Sequence, residues 1–533
     1  MKVVILHSHY QRGGVTQVVQ NQVRSLATIS DIERVSLVAG PRNDGLDRQC
    51  LETRFHQHAL SVQSIPCLEY DALAEPPESA SDQADQIVRT LVRHLEQWEC
   101  EPGQTILHWH NHSLGKNAAA VLAIHELARQ GWRLLLQIHD FAEDNRPENY
   151  LHLVRRLGAN SPQDLDQTLY PSQLPVHFAT LTNADAKVLG RLGVPASRLH
   201  CLTNSFDLDD DSAVQPDEAL SIVRQECELP SDATWCLYPV RGIRRKNVGE
   251  FLLLSRWLPE GMHAGLTLRP KTEVELRSYL RWMDLAKQVA PQAVFDAAHH
   301  DGLSFLTNLK AARFILSTSV AEGFGMAFLE PWLAARPVIA RELPTVVDDF
   351  RSSGLRADGM YSHILVPGDP EWLRESRAEA RAAFDSAWAQ LPVQFRPPWD
   401  QDTTSDHDGT IDFARLTPKR QIAVLGRLHR DPGFEAETRS RNDDVIRQLN
   451  SPVDPTLIAD NRQIVSDQYN VQRSTERLLT TYRAVLATEP SKATEVPRTS
   501  DIERAFDGSA IDLVSKVRPY FPCRTESFSC YDV

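Results

Sequence analysis

The strongest constraint on the fold is a recurring unit: a short, uniformly apolar run, a glycine-bearing or polar turn, then a segment with apolar residues at helical spacing. It opens the chain, where Val3-Val4-Ile5-Leu6 is followed by Gly13-Gly14 and then by Val15, Val18, Val19, Val23 and Leu26. Strand-like runs at 35–39, 105–109, 133–138 and 178–181 alternate with helical segments such as 118–129. Apolar strands separated by helices predict a parallel, doubly wound sheet covered on both faces.

The pattern stops at 204–215 (NSFDLDDDSAVQ), which is acidic and aperiodic, and restarts at WCLYPV, 235–240. A helix at 248–257, a strand at 264–268, a helix at 273–290 and a strand at 314–317 follow. A chain of 533 residues exceeds what one core organises. The expected division is a Rossmann-like domain over 1–205 and a second over 206–467, with an insertion around 367–430 that includes a mobile loop. A helix over 468–488 returns to the first domain, 489–533 is a tail, and a hinge falls near 204–215.

Acidic residues outnumber basic ones, 71 to 57, and no basic stretch carries interleaved aromatics, which excludes nucleic acid as a partner. No apolar stretch approaches the roughly 20 residues that cross a bilayer, so any membrane contact is peripheral. The first apolar run is too short for a signal peptide. The cysteines are scattered without paired spacing, as expected of free thiols in the cytoplasm.

Two segments carry chemistry. Arg241-Gly242-Ile243-Arg244-Arg245-Lys246 follows an apolar strand, and its cations suit a diphosphate. Glu322-Gly323-Phe324-Gly325-Met326 and Glu330 follow the strand FILS, with a helix expected to begin near Ala327 and Pro331 in its first turn. Ionised carboxylates accept hydrogen bonds only, and so suit sugar hydroxyls rather than phosphate.

The pair Arg241 and Lys246, followed by Glu322 and Glu330 with seven residues between them, resembles the retaining glycosyltransferases of family 4. RGGVTQVVQNQVRSLA and the strand end LQIHD are similar to that family's glycine loop and histidine-bearing strand, and the resemblance covers about 1–367. It implies the GT-B architecture, two Rossmann-like doubly wound domains facing across a cleft, with acceptor binding on the first and a nucleotide sugar on the second. It also implies that Arg241 and Lys246 hold the donor diphosphate and Glu330 the ribose. The transferred sugar falls to Glu322 with Gly323, Phe324, Gly325 and Met326, while Gly13 and Gly14 approach the diphosphate and His139 lies near the reacting sugar. His139, Arg241, Lys246 and Glu322 are thus the catalytic candidates. Ser205 stands where the family's interdomain turn has glycine.

The expected reaction moves a sugar from a nucleotide diphosphate sugar to a hydroxyl acceptor with retention, by front-face substitution, and needs no metal or cofactor. A sugar-nucleotide epimerase, a phosphorylase and a non-catalytic nucleotide-sugar-binding protein remain alternatives. QRGGVTQ lacks the Gly-x-Gly-x-x-Gly spacing of dinucleotide enzymes. Arg244 and Arg245 read as a solvated face. His108, His110 and His112 alternate along one strand face without a nearby carboxylate or cysteine, and Asp207-Leu208-Asp209-Asp210-Asp211 reads as solvated linker, so neither is assigned a metal.

Overall fold

The computed structural model describes residues 1–54, 59–71, 78–172, 174–206, 214–298, 303–399, 409–451, 454–489 and 508–525. They form two compact units. One comprises Met1–Asp207, Gln390–Pro398 and Tyr469–Arg518, and the other Leu208–Ala389, Trp399–Gln468 and Pro519–Val533. Parts of the expected hinge, the Asp207–Asp211 run, the 400–408 loop and most of the tail lie outside the described residues.

The N-terminal unit contains β1 (Lys2–Leu6), β2 (Arg34–Ala39), β3 (Ala59–Ser64), β4 (Thr105–His110), β5 (Arg133–Ile138), β6 (His177–Thr180) and β7 (Leu199–Cys201). They lie in the order β3-β2-β1-β4-β5-β6-β7, all parallel, with Lys2 opposite Arg34 on one side and Thr105 on the other. Helices cover both faces, which is why Val3, Val4, Ile5 and Leu6 are all fully buried. The helix Gly14–Leu26 turns Val19, Val23 and Leu26 into a core shared with Leu478, Tyr482 and Val485 of the helix Val471–Ala487.

That last helix starts later than its periodicity suggests. The preceding helix runs Pro455–Gln468, and the side chain of Asn470 then accepts from the Arg473 N–H at 2.8 Å, capping a new start at Val471. Within the stretch read as aperiodic tail, Ala510–Val517 is also helical. Eight residues are too few to show a period, and tertiary contacts hold the helix instead. The Asp166 carboxylate accepts from the Ala510 N–H at 2.8 Å, and Arg518 pairs with Asp185 at 2.8 Å and Asp144 at 3.3 Å.

The C-terminal unit contains β8 (Thr234–Arg241), β9 (Met262–Leu268), β10 (Ala293–Phe295), β11 (Ile315–Ser317), β12 (Val338–Arg341) and β13 (Met360–Tyr361), in the order β10-β9-β8-β11-β12-β13. This winding repeats that of the first unit. Its core gathers Tyr238, Phe251, Leu253, Trp257, Leu266 and Trp282. A separate antiparallel pair, β14 (Leu365–Pro367) and β15 (Thr410–Asp412), borders the helix Pro370–Trp388, whose first turn is capped by Asp369.

Charge ties this border to the sheet. Arg341, at the end of β12, reaches Glu250 at 2.6 Å and Asp412 at 2.8 Å, and all three side chains are nearly excluded from solvent. The Tyr361 hydroxyl donates to Glu250 at 2.8 Å, and Asp412 also accepts from the Ile364 N–H at 3.0 Å. Removing the cation strands two carboxylates in a low-dielectric interior. Arg341→Met is therefore expected to cost about 3–5 kcal/mol in chemical denaturation. A loss below ~1 kcal/mol would show that the carboxylates do not depend on Arg341.

Candidate active site

The strand order of the C-terminal sheet reverses between β8 and β11, which are hydrogen-bonded neighbours. Connections leave a doubly wound sheet on opposite faces at such a point, opening a crevice at the carboxyl ends of the strands. Both chemistry-bearing segments of the sequence emerge there.

After β8 the chain turns at Gly242, where an added Cβ would meet the Tyr279 ring at 2.5 Å, so only glycine passes. Arg244–Lys246 forms one 3₁₀ turn, closed by Asn247 in the left-handed region at φ 48°. The turn is fixed from below, because the Lys246 carbonyl accepts from the Tyr238 hydroxyl at 3.1 Å and from Thr318 Oγ1 at 2.9 Å. The Val320 N–H donates to the Arg245 carbonyl at 3.0 Å, drawing the segment after β11 across the turn.

That crossing puts Glu322 against the cations. Lys246 Nζ donates to Glu322 Oε1, and Arg245 Nη1 donates to Glu322 Oε2 at 3.3 Å and to the Ala321 carbonyl at 3.0 Å. Lys246 and Glu322 are each 7 % exposed. Burial lowers the Lys246 ammonium to about 8 against the pull of Glu322. For Glu322, burial acts to raise the pKa, but Lys246 and Arg245 overcome it and the net shift is downward.

Two sequence expectations change. Arg245, read as part of a solvated face, is tied to Glu322, and Arg244 is equally engaged. Arg244 bonds Glu275 through its N–H at 2.7 Å and its Nε at 3.1 Å, and the Thr525 carbonyl through Nη1 at 3.1 Å. The 3₁₀ turn supplies the reason, since it sends consecutive side chains to different sides. Arg241 donates instead to the Arg269 carbonyl.

The helix expected near Ala327 begins at Glu330. Gly325, at φ 84°, introduces a 3₁₀ turn over Met326–Phe328, and the four-residue helix Glu330–Leu333 follows with Pro331 in its first turn. A Cβ on Gly325 would also meet Phe328 and Val346 at 2.7 Å. Phe324 packs edge-on against Phe350, with centroids 5.6 Å apart. Glu330 is partly exposed, burial raises its pKa to about 7, and among the described residues no group donates to its carboxyl.

In the N-terminal unit, Gly13 and Gly14 are exposed at the start of the first helix, and a Cβ on Gly14 would meet nothing within 4 Å. Packing therefore does not require glycine at position 14. His139 stands just beyond β5, its N–H and that of Asp140 both held by Asn111 Oδ1, at 3.2 and 3.0 Å. Its Nε2 lies 2.8 Å from His110 Nδ1, a partner that sequence reasoning missed. His108 contacts the Tyr482 hydroxyl and Gln137 Oε1, each at 2.9 Å, and His112 turns to the Leu169 carbonyl at 2.9 Å. Among the described residues no group of three or more His, Cys, Asp or Glu could hold a metal ion, and no helix is long and apolar enough to cross a membrane.

No family model matches the chain. It is 26 % identical over 430 residues to mannosylglucosyl-3-phosphoglycerate synthase of Petrotoga mobilis, covering 78 % of this chain and 79 % of that protein. Among solved structures, sucrose-phosphate synthase of Thermosynechococcus elongatus superimposes with a TM-score of 0.53 at 14 % identity, over 91 % of this chain and 100 % of that one. HepE of Anabaena, solved with UDP-glucose, gives 0.50 at 11 % identity, again over 91 % and 100 %. The fold is that of the GT-B glycosyltransferases. Together with the Petrotoga relative, it supports a glycosyltransferase.

Burial lowers the pKa of His108 to about 3 and of His139 to about 4, and places that of His110 well below the usual 6.5. The folded state thus favours neutral imidazoles. Their contribution to stability is complete above the unfolded value of about 6.5 and is lost as pH falls toward 4 and below. Nitrogen-15 NMR of the imidazoles is expected to show all three neutral at pH 6. A protonated ring at that pH would contradict the burial.

Proposed function

We propose that the chain is a retaining, family 4-like glycosyltransferase that moves a sugar from a nucleotide diphosphate sugar to an acceptor hydroxyl, in the cytoplasm. The observation that carries this reading is the Lys246, Arg245 and Glu322 cluster at the strand reversal of the C-terminal sheet. Departure of the sugar builds negative charge on the diphosphate, and fixed cations aimed at it favour the transition state over the ground state.

On this reading Lys246 and Arg241 hold the diphosphate, and Arg241 releases the Arg269 carbonyl to do so. Glu322 then positions the hydroxyls of the departing sugar with the backbone of Gly323, Phe324, Gly325 and Met326. Glu330 accepts from the ribose hydroxyls. The N-terminal unit takes the acceptor, with His139 near the reacting hydroxyl and Gly13 and Gly14 leaving room for phosphate. Front-face substitution lets the departing phosphate receive the acceptor's proton, so Glu322 forms no covalent adduct. Cationic side chains do the work that a divalent ion does elsewhere.

Mass spectrometry of a donor-by-acceptor panel tests the reaction, with 3-phosphoglycerate included because the product of the Petrotoga relative is named for it. Sugar transfer to an acceptor supports the proposal, while nucleotide-sugar binding without any product supports a binding protein. The pH profile tests the residues. Glu330 must be ionised to accept from ribose, so kcat/KM is expected to rise through about pH 7, and Lys246 must be charged, so it is expected to fall through about pH 8. Glu330→Gln should abolish the acid limb, and Lys246→Ala should lower kcat about 100-fold or more. An unchanged profile and rate would remove both assignments.

A further inference from the structure

We propose that the carboxyl edge of the N-terminal sheet binds an acceptor carrying a phosphate or carboxylate group, and that Lys116 is the cation receiving it. The inference rests on the transferase reading and names the substrate class that its acceptor side would take.

Loops after successive strands of that sheet converge on Tyr70. His9 comes from the loop after β1, Arg42 from that after β2, Tyr70 itself from that after β3, and Lys116 from that after β4. Lys116 Nζ lies 4.9 Å from the Tyr70 ring centroid, Arg42 Cζ lies 5.6 Å from it, and the His9 ring meets it edge-on at 5.0 Å. Ligands of parallel sheets bind at this edge.

The cations there are not equally committed. Arg42 bonds both oxygens of Glu69 and, at 2.9 Å, Gln11 Oε1. Arg146, from the loop after β5, pairs with Asp140 and donates to the Phe141 carbonyl at 2.8 Å. Among the described residues Lys116 makes neither a hydrogen bond through its ammonium nor an ion pair, and its ammonium lies over the Tyr70 face. Burial lowers its pKa, and Arg146 and Arg42 act in the same direction while Asp140 opposes them. A partly desolvated cation without its own anion is costly, and a ligand oxygen anion offsets that cost.

The arrangement is built rather than incidental. The Asn117 side chain caps the helix Ala118–Arg129 by accepting from the Ala120 N–H at 2.8 Å, and it donates to the carbonyls of Cys67 at 2.8 Å and Glu69 at 2.7 Å. One amide therefore fixes Tyr70 relative to the residue before it, Lys116. The Asp71 N–H donates to the Lys116 carbonyl at 2.9 Å and closes the same junction.

Calorimetric titration of the full chain with 3-phosphoglycerate, glycerol 3-phosphate, glycerate and glycerol tests the proposal, and the four probes separate phosphate from carboxylate recognition. At least one anion is expected to bind saturably where glycerol does not. Lys116→Gln should weaken that anion ~10-fold or more, and Lys116→Arg should retain it. A panel of nucleoside diphosphates should bind Lys116→Gln as it binds wild type, which also shows that the variant is folded. Equal binding of glycerol and the anions, no anion binding at all, or undiminished anion binding to Lys116→Gln overturns the anionic acceptor. Failure of every nucleoside diphosphate to bind wild type instead overturns the transferase reading.

Discussion

Reversal of strand order at the β8 and β11 boundary is the constraint on which the C-terminal site depends. Neighbouring strands whose connections leave on opposite faces cannot bury their carboxyl ends under a crossing helix, so polar groups at those ends stay accessible to a ligand. Here the two strand ends are also bonded to each other. The Val320 N–H to Arg245 carbonyl bond, the Thr318 hydroxyl on the Lys246 carbonyl, and the Tyr238 hydroxyl shared by the Lys246 carbonyl and Ser319 Oγ couple the turn after β8 to the segment after β11. The ion pair of Lys246 with Glu322 is a consequence of this coupling, because neither side chain chooses its position independently.

The coupling also explains how a nearly buried ammonium is tolerated. A desolvated lysine would discharge without a counter-charge, and Glu322 keeps the Lys246 pKa from falling below about 8. Arg245 works in the other direction on Lys246 while stabilising the Glu322 carboxylate. Two cations thus bear on the single Glu322 carboxylate.

The larger features of this fold were legible because they are one-dimensional. Runs such as Val3 to Leu6 and Leu134 to Leu136 are apolar on both faces of a parallel sheet, and each marks a strand without reference to anything distant. Strands β7, β10 and β13, of two or three residues, carry too little pattern to be seen. The candidate site was legible as two segments, but not as contacts. Arg245 looked solvated because a charge run does not reveal the direction of side chains in a 3₁₀ turn. The pairing of His110 with His139 depends on the register that sets His110 opposite Gln137. Register belongs to the sheet and not to either strand. The later start at Glu330 was foreshadowed by Pro331, since a proline settles best in a first turn.

The two sheets share the winding of their first six strands, which makes the chemistry at their edges the informative difference. The C-terminal edge presents charged groups in contact, with Glu330 left to a partner from outside. The N-terminal edge behaves differently: His110 and His139 face each other as neutral rings, which can orient a hydroxyl without imposing a charge. Its nearby arginines are committed to Glu69 and Asp140, so they shape the surface more than they charge it. Lys116 is the exception, held on the Tyr70 face by the amide that also caps the next helix. The two edges thus differ in which charges they leave uncancelled, Glu330 at one and Lys116 at the other.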